Sequence, residues 1–372
     1  MKKRNIISII FIVTSLLISF AGCESKDESE TIRFGVSPFQ DTFLPILGLE
    51  KGWYAEEGLK VEFKVLGWTE IQEALSSISG NRIDIGINNI SSVIATHHNN
   101  PDLVYLYGFN TFDNGFALMI RPEGNIKPLS YFLEQGLSRE EAIKMTAKQL
   151  LNKTVITTSN TDMEQGVAAA ANRGNLDFTK DIKIINLNPD EGLAAFLTGS
   201  GDAYIGGIPQ RTRAGKEGMI EMLTGVDLGP APINGIVTTK QYYEKNKEKL
   251  LKILKVWFRI VQYVNKNLDE SASTIIRLLN ENSSANFTND DFKKFWNNYE
   301  HYPQDLIEIE KNIISETGSN YWKARWDDSN EYFYNIKKVI PKPVESQEAF
   351  YMLQFHNELR VKYGDNINIT KK

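Results

Sequence analysis

Cysteine is almost absent from this 372-residue chain. Cys23 is the single one, so no intramolecular disulfide can form and the fold has to rest on its core. Histidine is scarce as well, with only His97, His98, His301 and His356. The adjacent pair lies in a stretch that reads as helix, where neighbours diverge by about 100° and cannot both face one small site. It reads instead as a solvated helix end. There is no glycine-rich phosphate loop, no His-Glu-x-x-His and no nucleophile elbow. These absences argue against an enzyme, and no metal or cofactor is expected. Positive charge is not in excess either: 42 Lys and Arg against 47 Asp and Glu leave a formal charge of −5, which argues against nucleic acid as a partner.

Long hydrophobic runs are missing too, apart from Ile6 to Phe20. Lys2, Lys3 and Arg4 precede that run and Ala21-Gly22-Cys23 follows it, the order of a signal peptide with a small-residue cleavage site. The run is short for a permanent span, and Glu24, Lys26, Asp27, Glu28 and Glu30 come directly after it. The segment resembles a bacterial lipoprotein signal, although Phe20 stands where Leu is usual. On that resemblance residues 1–22 are removed and Cys23 becomes the lipidated first residue. Residues 23–31, polar and acidic without an apolar period, read as a flexible, lipid-anchored tether. The expected location is extracytoplasmic, at the bacterial cell membrane.

What the chain does contain is one skeleton written twice: a helix ending in Gly, a polar step, then an Asp opening a strand that ends in Gly. The copies are Ala74-Leu75-Ser76-Ser77-Ile78-Ser79-Gly80-Asn81-Arg82-Ile83-Asp84-Ile85-Gly86 and Ala194-Ala195-Phe196-Leu197-Thr198-Gly199-Ser200-Gly201-Asp202-Ala203-Tyr204-Ile205-Gly206. Such a repeat suggests two similar α/β lobes with a ligand between them. Short apolar runs predict strands at 32–36, 61–66, 83–87, 103–107, 115–121, 154–158, 182–187, 203–205 and 234–239. Helices are expected at 43–57, 70–79, 90–98, 138–151, 162–172 and 191–197. The alternation indicates an α/β fold of mainly parallel sheets flanked by helices. The strands at 115–121 and 234–239 are read as the two that cross between lobes. After Lys240 the chain turns helical and aromatic, and Trp257, Trp296, Tyr299, Tyr302, Trp322 and Trp326 read as packing onto the first lobe.

Open α/β sheets hold ligands beyond the carboxyl ends of their strands. Here those ends carry Ser37-Pro38-Phe39-Gln40-Asp41, Gly67-Trp68-Thr69, Asn88-Asn89-Ile90-Ser91, Phe109-Asn110-Thr111-Phe112, Ser159-Asn160-Thr161-Asp162 and Gly206-Gly207-Ile208-Pro209-Gln210. Asn160-Thr161-Asp162 with Gln165 opens a helix, where capping and ligand contact are compatible. Trp68 reads as a stacking platform.

The ordered set Gly48-Leu49-Glu50-Lys51-Gly52-Trp53-Tyr54-Ala55-Glu56-Glu57-Gly58-Leu59, Ala74 to Gly86, Leu150-Leu151-Asn152-Lys153-Thr154-Val155-Ile156 and Gly199-Ser200-Gly201-Asp202-Ala203 with Pro209 resembles the solute-binding proteins of ABC importers. More narrowly it is similar to the nitrate/sulfonate/taurine and thiamine-precursor binding family. Asn152 stands where that family has Gly, and Gly206-Gly207-Ile208 where it has a more aromatic run. The resemblance implies the two-lobed type 2 periplasmic binding protein fold, with lobe 1 from 32–117 and 236–372 and lobe 2 from 118–235. It implies a monomer that captures a small solute between the lobes and hands it to an ABC permease with its ATPase. The ligand-binding residues expected are Phe39, Gln40, Asp41, Trp68, Asn88, Asn89, Phe112, Ser159, Asn160, Thr161, Gln165, Ile208, Pro209 and Gln210.

A small oxyanion wants Arg or backbone donors, whereas a flat heterocycle wants aromatics and amides. Because Phe39, Trp68, Phe109 and Phe112 gather at strand ends, a neutral or zwitterionic aromatic or small organic solute is expected. A sulfonate or nitrate is the alternative. Arg211 and Arg213 read as a solvated helix start. An enzyme related to the pyrimidine-precursor synthases is a further alternative, but the export signal and the lone cysteine disfavour it.

Overall fold

The alternating runs pair into ten strands: β1 (Ile32–Val36), β2 (Val61–Val65), β3 (Ile85–Asn89), β4 (Leu103–Thr111), β5 (Ala117–Ile120), β6 (Lys153–Thr157), β7 (Ile182–Asn186), β8 (Ala203–Ile205), β9 (Ile220–Thr224) and β10 (Ile233–Thr239). The computed structural model describes residues 31–365 and Ile367, apart from 77–79, 81 and 284. The leader, Cys23 and all of the tether but Thr31 lie outside the described residues. So do Ser77, Ile78, Ser79 and Asn81 of the first repeat.

Two five-stranded sheets result, in the orders β2-β1-β3-β10-β4 and β7-β6-β8-β5-β9. In each, the first three strands of the order run parallel, and a single reversed strand, β10 or β5, pairs antiparallel with both the third strand and the last. Four of five strands in each sheet therefore share a direction, and helices cover them. Buried β4 shows the consequence: all nine of its residues are inaccessible, as expected of a strand covered on both faces. The chain leaves the first sheet through 112–116, between β4 and β5, and returns through 225–232, between β9 and β10.

The doubled sequence skeleton has one physical job in both sheets. Asp84 donates its N–H to Arg33 O at 2.8 Å, and its carboxylate accepts Arg33 N at 2.7 Å. Asp202 donates to Thr154 O at 2.7 Å and accepts Thr154 N at 2.8 Å. Each Asp thus locks the start of the third strand to the start of the first.

Several boundaries differ from the sequence expectation. Gly52, at φ 74°, divides the expected helix 43–57 into Leu44–Glu50 and Trp53–Glu56, since only a residue without a Cβ takes that conformation cheaply. The short edge strand β9 was not expected, because its three apolar residues become a strand only by pairing with β5. In β4 the strand continues through Asn110 and Thr111, which are fully buried and paired with Asn234 and Ile233 of β10. His97 is buried, with Nε2 3.4 Å from Glu348 Oε2, and so does not belong to a solvated helix end.

The aromatic tail packs as the sequence suggests. Phe109 stacks on Trp257 with centroids 3.8 Å apart, and Trp296 stacks on Tyr302 at 4.2 Å. Trp322 stacks on Phe350 at 4.0 Å, and Phe350 in turn stacks on Tyr105 of β4. Because the Asp202 carboxylate satisfies a strand N–H, Asp202→Ala is expected to lower stability by about 1–2 kcal/mol in urea melts. Asp202→Asn, which keeps an acceptor, is expected to lose less.

Candidate functional site

Beyond the carboxyl ends of the parallel strands lies a small, solvent-open cleft, with about 300 Å³ of empty space when that solvent is counted. The first lobe lends Phe39 after β1, with Asp41, and Trp68 after β2. Asp162 and Met163 come from the helix Asp162–Arg173 after β6, and Gly207 follows β8. Phe112 and Phe116 on the outward crossing and Asn234 on the returning strand complete the wall. Phe39 meets Trp68 edge-on at 5.4 Å, and Phe112 lies 4.7 Å from Phe116. A Cβ on Gly207 would stand 2.6 Å from Phe39 Cε1, so only glycine lets the second lobe's backbone approach that ring.

Both ionisable groups of the wall are carboxyls. Asn234 Nδ2 donates to Asp41 Oδ2 at 2.6 Å, yet burial pushes the Asp41 carboxyl up to about 6. Beneath it lies Glu300, which accepts from Gln40 Nε2 at 3.0 Å and from the Tyr302 hydroxyl. Burial and the neighbouring Asp41 hold Glu300 well above the usual carboxylate range. Asp162 is also raised by burial, against the opposing pull of Arg325 and the Asn89 amide. Trp68 Nε1, Asp162 Oδ1, Asn234 Oδ1 and Arg325 Nε are buried without a hydrogen-bond partner. Among the described residues no group of three or more His, Cys, Asp or Glu is placed to hold a metal ion.

Arg325, which sequence reasoning missed, ties the surroundings together. Its Nη2 donates to Ser91 Oγ of the first lobe and to Gln165 Oε1 of the second, both at 2.9 Å. Nη1 donates to Pro230 O on the returning crossing at 3.1 Å. No local signal marks this residue, because its partners come from three distant segments.

Of the fourteen side chains expected to bind ligand, the structure brings Phe39, Asp41, Trp68 and Phe112 to the wall. The others are committed elsewhere. Gln40 bonds Glu300, and Asn88 Nδ2 donates to Trp68 O at 3.0 Å, which positions that indole. Asn89 caps the helix Ile90–His97 by accepting from Ser92 N at 3.0 Å. Ser159 Oγ and Asn160 N donate to Glu164, at 3.0 and 2.8 Å, and Asn160 holds a left-handed φ of 59°. Thr161 is the cap of its helix, accepting from Met163 N at 3.2 Å. Gln165 faces Ser91 and Arg325. Ile208 and Pro209 are buried at a helix start, and Gln210 Nε2 donates to Asp190 Oδ1 at 3.1 Å. Phe109 is core, stacked on Trp257. Arg211 is no solvated helix start: it is buried, donates to Gly115 O at 3.1 Å and lies 4.1 Å over the Tyr299 ring. Phe116, Asp162, Met163, Gly207 and Asn234 were absent from the expected set, although Asp162 and Gly207 lie in the strand-end segments read as informative.

A family model matches residues 25–280, well over half of the sequence. The chain belongs to the NMT1-like family. Among curated proteins no relative matches. Solved structures similar to this NMT1-like protein include the periplasmic aliphatic sulphonate binding protein of Escherichia coli, at 16% identity and a TM-score of 0.64, over 86% of this chain and 91% of that one. The alkanesulfonate-binding protein of Xanthomonas axonopodis pv. citri superposes with a TM-score of 0.64 at 14% identity, over 87% and 98%. The periplasmic nitrate-binding protein of Synechocystis PCC 6803 gives 0.64 at 16% identity, over 90% and 89%. At such identities the likeness establishes the fold, which is that of the periplasmic solute-binding proteins. The resemblance read from the sequence is borne out at the level of family and fold.

Asp41 makes this NMT1-like protein's stability depend on pH. Its carboxyl titrates near 3.8 when exposed and at about 6 when folded. The native state thus holds the proton more tightly, and the stability this contributes is full below the lower value and lost as pH rises through the higher one. Asp41→Asn is therefore expected to raise stability by about 2–3 kcal/mol at neutral pH. In acid, where the native carboxyl is already neutral, urea melts are expected to change little.

Proposed function

We propose that this protein is an extracytoplasmic solute-binding receptor that captures a small organic solute in the interlobe cavity and delivers it to an ABC permease with its own ATPase. The observation that carries this reading is the shared wall: Trp68 and Phe39 of one lobe line the same cleft as Asp162, Met163 and Gly207 of the other. A solute touching both sides binds the closed arrangement better than the open one, so binding shifts the population toward closure. The permease would read that closed shape.

In the same reading residues 1–22 form the signal peptide, and Cys23 carries the lipid that holds the receptor at the membrane. Residues 32–117 with 236–372, and 118–235, form the two lobes, and the protein acts as a monomer without catalysis. Phe39, Asp41, Trp68 and Phe112 are the expected ligand residues that also line the cavity, joined by Phe116, Asp162, Met163, Gly207 and Asn234. The four aromatics favour a flat or compact apolar body, a thiamine precursor among the candidates. A small oxyanion is the second reading, favoured by the sulfonate- and nitrate-binding neighbours.

Thermal-shift screening of the purified protein against small solutes is expected to show stabilisation by one narrow class, growing as RT ln(1 + [L]/Kd). Trp68→Ala is expected to weaken binding of that solute by about 1–3 kcal/mol in calorimetric titration. Lowered stability with unchanged affinity would instead make Trp68 a core residue. Stabilisation by no solute would count against the receptor reading.

A further inference from the structure

Which charge the solute carries follows from the wall, provided the cavity is the solute site proposed above. We propose that the solute is a cation, an organic amine or amidine on a compact apolar body. Among the described residues Asp41 and Asp162 are the ionisable side chains of the wall, one from each lobe, and no Lys, Arg or His lines it. A positive group in the cleft would be drawn to a carboxylate on each lobe, so charge attraction itself would favour closure.

Unmade hydrogen bonds point the same way. Asn234 Oδ1 is a buried acceptor without a donor, and Asp162 Oδ1 makes no hydrogen bond although the Asn89 amide and Arg325 act on its carboxyl. The Asn234 amide cannot simply turn over, because its Nδ2 is held by Asp41 Oδ2 at 2.6 Å. A ligand rich in N–H groups supplies what these oxygens lack, and leaving a buried acceptor unpaired is costly. The lone buried donor of the wall, Trp68 Nε1, asks for one acceptor in return. Around them Phe39, Trp68, Phe112 and Phe116 offer ring faces of the sort that attract cations.

The nearby cation, Arg325, does not convert the cavity into an anion site. Its terminal nitrogens are engaged by Ser91, Gln165 and Pro230, only Nε is left without a partner, and its charge is offset by Asp328, 3.4 Å away, and in part by Asp162.

Three probes of one shape and different charge test this: benzamidine, benzamide and benzenesulfonate, titrated calorimetrically into the purified protein at neutral pH. Benzamidine is expected to bind at least tenfold tighter than either of the others. Asp41→Asn and Asp162→Asn are each expected to weaken benzamidine at least tenfold while leaving benzamide within about twofold, with melting curves confirming that both variants fold. The ranking on the unaltered chain stands without any variant. Benzenesulfonate as the tightest probe, or benzamidine affinity unchanged in both Asn variants, would overturn the charge assignment and leave the receptor reading intact. No binding of any probe, while the solute screen finds a stabilising compound of another charge, would do the same. Benzamidine binding that Trp68→Ala leaves unaltered would place the probe elsewhere and overturn the cavity assignment itself.

Discussion

A buried guanidinium holds the surroundings of the cavity together. Arg325 arrives from the helical tail and donates to a first-lobe serine, a second-lobe glutamine and a carbonyl of the returning crossing. Burial lowers its pKa, and the charges of Asp328 and Asp162 oppose that lowering. Taking such a charge out of water is expensive, and it is tolerated only where partners surround it. Position follows from that demand: the helix starts Ile90–His97 and Asp162–Arg173 have to stand where the guanidinium reaches both. Glu164, one turn into the second-lobe helix, adds a parallel tie by accepting from Tyr332 at 2.7 Å and Lys337 at 2.6 Å of the same tail. The tail is thus bonded to both lobes as well as packed on the first.

The two sheets solve one folding problem twice. A third strand has to find the first across three intervening helices and a strand, and the Asp at its start fixes the register by closing a two-way exchange with the first strand. The reversed strands, β5 and β10, follow directly on the crossings, so the geometry that fixes each sheet also fixes where the chain changes lobe. Phe112, Phe116 and Asn234 reach the cavity for that reason: they sit on or beside the segments that pass from one sheet to the other.

Inside the cavity stability and binding pull in opposite directions. Asp41 and Glu300 are buried carboxyls whose charged forms are penalised, and an apolar or amide replacement would suit the fold better. Buried acids beside oxygens without hydrogen-bond partners fit the solute site proposed above, where a bound solute would supply the missing partners.

The sequence by itself determined the strands, the doubled α/β plan and the aromatic tail, because hydrophobic period, glycine punctuation and the paired Asp act locally and survive in any register. It also pointed to the strand ends, and Phe39, Asp41, Trp68 and Phe112, legible there, line the cleft. Only the tertiary structure decided which polar strand-end residues face the cavity and which are spent on caps and buried bonds. Asn89, Thr161 and Gln165 have the same chemistry whether they cap a helix, brace Arg325 or meet a ligand. The choice among those roles depends on partners far away in sequence, and on how close a lobe's backbone comes to the other's rings. Gly207 against Phe39 is the clearest case, a contact that exists only once both sheets are built.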